Sequence, residues 1–113
     1  MNNCIFCRIV NRTLPAKILY EDDQAIALED VNPQAPVHVL VIPKRHVDSV
    51  QGTEADTGLL GHLMAVCVKM AQTMGVAQSG YRLVTNTGAQ AGQTVFHLHL
   101  HVLGGRPMTW PPG

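Results

Sequence analysis

Half of the six histidines in this chain fall on alternate residues of one short stretch, His97-Leu98-His99-Leu100-His101. Phe96, Leu98, Leu100 and Val102 supply the apolar partners, and a strict period of two is the pattern of a half-buried β-strand. Side chains at i, i+2 and i+4 of a strand leave from one face. The three imidazoles would then stand roughly 6.5–7 Å apart while the leucines and the valine enter a core. Ser, Thr or Gln would serve a merely solvated face as well, so a row of imidazoles implies chemistry. Neutral imidazole is a metal ligand, and near neutral pH it is also a nucleophile and proton carrier for phosphate or acyl groups.

The distribution of charge separates these readings. Net charge is zero, yet residues 1–56 hold all eight carboxylates against five Lys and Arg. From Thr57 onward there is no Asp or Glu, and Lys69, Arg82 and Arg106 are unopposed. A carboxylate-free neighbourhood of glycine and imidazole suits an anionic ligand, whose oxygens need N–H donors. A hydrolytic metal centre usually recruits a carboxylate as ligand or base. A cupin-type site would need a Glu a few residues after the second histidine, and none is there. The pattern favours an anion.

The elements that must position this row read as follows. Residues 4–11 form a short helical turn with Ile5, Phe6 and Ile9 on one side, closed by Leu14-Pro15. Lys17–Glu21 and Gln24–Asp30 form a hairpin turning at Asp22-Asp23. Val37–Pro43 is a near-continuously apolar, hence central, strand with His38 as a polar intruder. Thr53–Met74 is the one long helix, with Thr53 and Asp56 as an approximate capping box and Gly75 just past its end. Its apolar stripe is Leu60, Leu63, Met64, Cys67, Met70, Ala71 and Met74, and His62 falls on the polar side. Tyr81–Thr87 is another strand, and Gly88–Gly92 a tight loop before the histidines. Five strands with one main helix give an α+β domain on an antiparallel sheet, a single domain over 1–113.

Composition narrows the class. Low charge (14%) and few aromatics (4%) argue against a nucleic-acid surface. No stretch approaches the roughly 18 apolar residues of a spanning helix. The first residues do not read as a signal peptide, and three cysteines make no disulfide framework, so a cytoplasmic location is the expectation. Cys67 reads as a small buried hydrophobe. Cys4 and Cys7 form a C-x-x-C, a spacing that supplies two thiolate ligands to a metal where one is bound.

His97-x-His99-x-His101 followed by Val102-Leu103 resembles the signature of the histidine triad family of nucleotide hydrolases and transferases. The similarity runs almost end to end: Ile5-Phe6, Tyr20-Glu21-Asp22-Asp23, the run from Asp30 to His38, Val41-Ile42-Pro43-Lys44-Arg45-His46, Tyr81-Arg82, Asn86 and Gly92-Gln93-Thr94-Val95-Phe96-His97 follow in the family's order. Gly104-Gly105-Arg106-Pro107-Met108 with Trp110-Pro111-Pro112-Gly113 is closer to the Hint branch, the purine nucleoside phosphoramidases.

The resemblance implies a covalent mechanism. His99 would attack the α-phosphorus of an adenosine 5′-phosphoramidate or acyl-adenylate through Nε2, with its Nδ1–H donated to a backbone carbonyl. His101 would assist the leaving group, His38 would support the triad, and water would release AMP from nucleotidyl-His99. Gly92, Gln93, Thr94 and Asn86 would hold the phosphate, Asp30 the ribose hydroxyls, and Ile5, Phe6, Ile9, Leu28 and Val31 would wall the purine. No catalytic metal is required. By the same resemblance Cys4, Cys7, His46 and His97 would hold a structural zinc, and the chain would be a homodimer joined through the Thr53–Met74 helix and the Tyr81–Thr87 strand, extending the sheet across the pair. Transfer of the nucleotidyl group to another acceptor, or non-catalytic nucleotide or zinc binding as an interaction protein, are the alternatives.

Overall fold

The computed structural model describes residues 3–113; the reading of the first two residues as part of no signal peptide lies outside them. In chain order the elements are α1 (Ile5–Val10), β1 (Ile18–Glu21), β2 (Ala25–Glu29), β3 (Val37–Pro43), α2 (Thr57–Thr73), β4 (Tyr81–Val84) and β5 (Leu100–Gly104). Five strands form one sheet in the order β1-β2-β3-β5-β4, every pair antiparallel. This is the expected α+β architecture.

Each face of the sheet has its own core. Ala25 and Ala27 of β2, Val39 and Val41 of β3, and Leu98, Leu100 and Val102 face α2, meeting Leu59, Leu63, Val66, Cys67, Met70 and Ala71. The alternate residues Ile26, Leu28, Leu40 and Ile42 face the other way, against Phe6 and Ile9 of α1. Because β2 and β3 are covered on both sides, both parities are apolar, the run of a central strand.

α2 starts later than its capping box suggested. Val50–Thr53 is a separate 3₁₀ turn in which the buried Thr53 hydroxyl donates to the Val50 carbonyl at 2.6 Å. Asp56 caps instead, accepting from the Leu59 N–H at 3.0 Å. The buried stripe is correspondingly rotated: Leu59 and Val66 are inside, and Met64 is exposed. Gly75, at φ +78°, ends the helix with Val76 N–H donating to the Ala71 carbonyl. His62 is no free surface residue: it pairs with Asp22 at 2.7 Å and ties α2 to the β1–β2 turn.

The triad stretch is only half strand. The ladder begins at Leu100, and β4 ends at Val84 where a strand to Thr87 was expected. Ahead of Leu100 the backbone bonds elsewhere: Leu98 N–H to the Val47 carbonyl at 2.6 Å, and the His99 carbonyl to the Thr85 hydroxyl at 2.9 Å. Inside–outside alternation nevertheless persists through Leu98, Leu100 and Val102, while Phe96, outside the core, is exposed.

Candidate active site

β3 and β5 set the first half of the site. Leu40 lies opposite His101 and Leu103 opposite His38, so the two histidines are diagonal neighbours on the α1 face. His38 Nε2 and His101 Nδ1 are 2.8 Å apart. Hydrogen bonding fixes which nitrogen carries the proton. The Gln34 N–H can only donate, and it reaches His38 Nδ1 at 3.0 Å. The neutral His38 proton is therefore on Nε2, directed to His101 Nδ1, and the neutral His101 proton is on its Nε2. Asp30 Oδ2 lies 3.3 Å from His38 Nε2, while Asp30 Oδ1 accepts from the Asn32 N–H at 2.8 Å.

Burial lowers the pKa of His101 to about 4, reinforced by the neighbouring His99 and His38 and opposed by Asp30. Burial also lowers His38, again against the pull of Asp30. The pair is neutral at pH 7 and presents the His101 Nε2–H as a hydrogen-bond donor.

His99 is fixed differently. Its Nδ1 sits 2.7 Å from the His97 carbonyl, which can only accept, so Nδ1 bears the proton and Nε2 keeps its lone pair. Phe6 meets its ring edge-on at a centroid distance of 5.0 Å, and the His101 ring lies 5.0 Å away on the other side. His99 and His101 open together onto a cavity of about 370 Å³.

Of the predicted ligand residues, Ile5, Phe6, Ile9, Leu28, Asp30, Val31 and Thr94 line that cavity with the two histidines. His38 stands behind His101, and Asn86 and Gly92 lie outside the lining. Val31 projects from the rim, almost fully exposed. Leu14, Pro15, Ala16, Glu29, Leu40 and Val95 line it as well and were missed. By sequence Leu14-Pro15 reads as the stop of α1, and an apolar pair in a loop is the signal that it also lines a cavity.

Gln93 is engaged within the loop itself. Its N–H donates to the Gly88 carbonyl, its Oε1 accepts from the Gly88 N–H, and its Nε2 donates to the Asp48 and Val95 carbonyls. A buried amide satisfied on every side holds the loop in shape. Gly92 follows the loop's 3₁₀ turn at φ +87°, a conformation that favours glycine. The Thr94 N–H, at the cavity lining, has no partner among the described residues.

Cys4, Cys7, His46 and His97 converge beside the triad, their ligand atoms all within 4.8 Å of one another. His97 Nδ1 lies 3.3 Å from Cys4 Sγ and 3.6 Å from Cys7 Sγ, and His46 Nδ1 lies 3.2 Å from Cys7 Sγ. Ligand–ligand edges of about 3.3–3.8 Å are what a tetrahedral zinc with thiolate and imidazole donors requires. The far nitrogens are held as such ligands need: His97 Nε2–H donates to the Pro43 carbonyl at 2.8 Å and His46 Nε2–H to Asp48 at 3.0 Å. The donor set fits zinc. It also touches the triad, because the His97 carbonyl is the group that fixes the His99 tautomer.

With this geometry in view, the likeness to other proteins is specific. An uncharacterized HIT-like protein of Synechocystis sp. is 54% identical over 110 residues, covering 96% of both chains. The structure of a HIT family hydrolase from Legionella pneumophila superposes with a TM-score of 0.95 at 46% identity, covering 98% of this chain and 100% of that one. A HIT family hydrolase from Clostridium thermocellum gives 0.93 at 50% identity, with 96% of each chain covered. The HIT domain model matches residues 11–108, and the chain belongs to the HIT domain family.

Proposed function

We propose that this chain is a nucleotide hydrolase that cleaves purine, chiefly adenosine, 5′-phosphoramidates or acyl-adenylates through a nucleotidyl-His99 intermediate and releases AMP. The observation that carries the reading is the His99 Nδ1–H bond to the His97 carbonyl at 2.7 Å, which leaves Nε2 as a nucleophile at the cavity wall. The hydrolase names of the two superposed structures support it.

In the first step His99 Nε2 forms a bond to the α-phosphorus, and the P–N or P–O bond to the leaving group breaks with its electron pair on the departing atom. The Nε2–H of His101 is the donor facing that atom. A departing amine takes up one proton, which is returned when water, giving one up, displaces His99 and yields AMP. The phosphate's charge beside His101 opposes the lowering of its pKa and so populates its imidazolium in the complex; that form gives its Nε2 proton to the departing amine and reverts to neutral imidazole. Asp30 suits the ribose 2′ and 3′ hydroxyls, which a carboxylate can accept together, and the Thr94 N–H suits a phosphoryl oxygen. The apolar walls from α1, Leu28 and Leu40 suit a purine.

Zinc on Cys4, Cys7, His46 and His97 would be structural, closing α1 onto the sheet without touching substrate. A homodimer through α2 and β4 is the assembly this reading adopts. The exposed Met64 and Val68 on α2 and the position of β4 at the sheet edge support it.

The test is AMP release from adenosine 5′-phosphoramidate. Wild type is expected to turn over, and His99→Ala to fall to background; equal rates for the two would contradict the reading.

A further inference from the structure

Arg106 lies outside the cavity, two residues past the end of β5, and among the described residues it pairs with no carboxylate. Its guanidinium instead bonds two backbone carbonyls: Nε and Nη2 donate to the Gln34 oxygen at 3.2 and 3.1 Å, and Nη1 to the Pro107 oxygen at 3.1 Å. The segment that carries it is pressed against the same loop. Gly105 has φ +91°, and a Cβ there would stand 2.8 Å from Cβ of Pro36. The Gln34 side chain closes the loop on itself, donating to the Asn32 carbonyl at 3.0 Å. Gln34 is also the residue whose N–H reaches His38 Nδ1.

We propose that Arg106 is a positioning residue for the reaction, bracing Gln34 so that the hydrogen-bond chain from Gln34 through His38 to His101 keeps its direction. The logic is one of tautomers. While the Gln34 N–H occupies His38 Nδ1, the proton of His38 stays on Nε2, His101 must accept at Nδ1, and the His101 Nε2–H faces the cavity. With Gln34 displaced, the other tautomer of His38 becomes accessible. His38 Nε2 then accepts, His101 donates from Nδ1, and its Nε2 offers a lone pair where a leaving group needs a proton. The brace thus acts on the departing atom, not on attack by His99. Its effect on rate rests on the function proposed above; its effect on the tautomers does not.

The experiment has two readouts on wild type, Arg106→Ala and Arg106→Lys, each first confirmed as folded by its thermal melt. The first is the ¹⁵N shifts of the His38 and His101 rings. Wild type is expected to carry both protons on Nε2, Arg106→Ala to show a second tautomer, and Arg106→Lys, with a single donor in place of the fork, to fall between. The second is turnover. With an amine leaving group kcat is expected to fall about three- to tenfold in Arg106→Ala, the size of one or two modest hydrogen bonds, at nearly constant KM. With the nitrophenyl ester of AMP, whose phenolate departs without a proton, the fall is expected to stay under about twofold. Unchanged ring shifts in a folded Arg106→Ala protein, or equal losses on both substrates, would overturn the brace. Should the alanine variant not fold, wild-type shifts and wild-type selectivity in Arg106→Lys would overturn it. A wild type inert toward both substrates would overturn the proposed function and the rate effect together, while the ring shifts would still decide the tautomer claim.

Discussion

The two faces of the sheet are built by different physics. On the α2 face the packing against the helix is an apolar cluster, small alanines of β2 admitting the helix and Val39, Val41 and Val102 filling the remainder. Such burial is non-directional: it selects which side chains are inside but says nothing about the state of any proton. On the α1 face an apolar patch of six buried residues is joined by His38 and His97, which are nearly or fully buried, and by His99 and His101. There His38, His97 and His99 are each held at a particular nitrogen by a backbone donor or acceptor that cannot reverse its role, and His101 takes its tautomer from His38. The first face fixes the backbone, and the second fixes the protons on it.

A crossed pair of substitutions gives the largest effects. Leu63→Ala, at a fully buried position of α2, is expected to cost about 2–5 kcal/mol of stability while the folded fraction keeps its kcat. His99→Ala is expected to abolish turnover and leave stability within about 1 kcal/mol, since the side chain lies partly open to the cavity. Urea titration beside AMP release checks both, and a destabilised, still active His99→Ala protein would break the division of labour.

Cys4→Ser with Cys7→Ser sharpens it. Metal analysis of the wild type is expected to find about one zinc per chain, and the double variant to lose the metal together with stability. Its kcat is expected to fall only moderately, because His99 would keep its carbonyl partner. Complete loss of turnover in a folded, zinc-stripped protein would instead point to a metal acting on substrate.

The smallest effect is a pH dependence belonging to the α1 face alone. The folded pKa of His101 is about 4 against an ordinary value of 6.5, and His38 is lowered too, so between these values the unfolded chain binds more protons. Their contribution to stability is full above pH 6.5 and is lost as pH falls toward 4. The urea midpoint is expected to drop between pH 7.5 and 5, with a shallower drop in His101→Gln. Asp22 does not interfere in that range. Burial alone would raise its pKa, but hydrogen bonds from Tyr20, the Gln24 and Ala25 N–H groups and His62 outweigh it and hold it to about 2.

Much of this was legible from residue types alone. The near-continuous apolar run of β3 reported a strand covered on both faces, and alternation through Leu98, Leu100 and Val102 reported the inward side, because burial follows side-chain parity. The C-x-x-C named two members of a cluster, the family resemblance added His46 and His97, and the fold does bring the four together. What parity could not report was where the ladder stops, since the bonds of Leu98 and His99 go to Val47 and Thr85 from distant segments. The engagement of Gln93 was hidden for the same kind of reason: its backbone N–H goes to the Gly88 carbonyl and its amide to the carbonyls of Asp48 and Val95, bonds that sequence spacing does not show. The roles of Gln34 and Arg106 depend on backbone atoms, which carry no signature in side-chain spacing.

The central claim is that His99, in the tautomer set by the His97 carbonyl, forms a bond to phosphorus. Rapid quenching of a single turnover, followed by mass analysis of the peptide carrying His97 to His101, tests it most directly. A nucleotidyl adduct on His99 that forms and decays at rates consistent with AMP release is the predicted result, with retention of configuration when a chiral α-phosphorus is used. Absence of the adduct at every time, together with inversion at phosphorus, would mean that water attacks directly and would contradict the account.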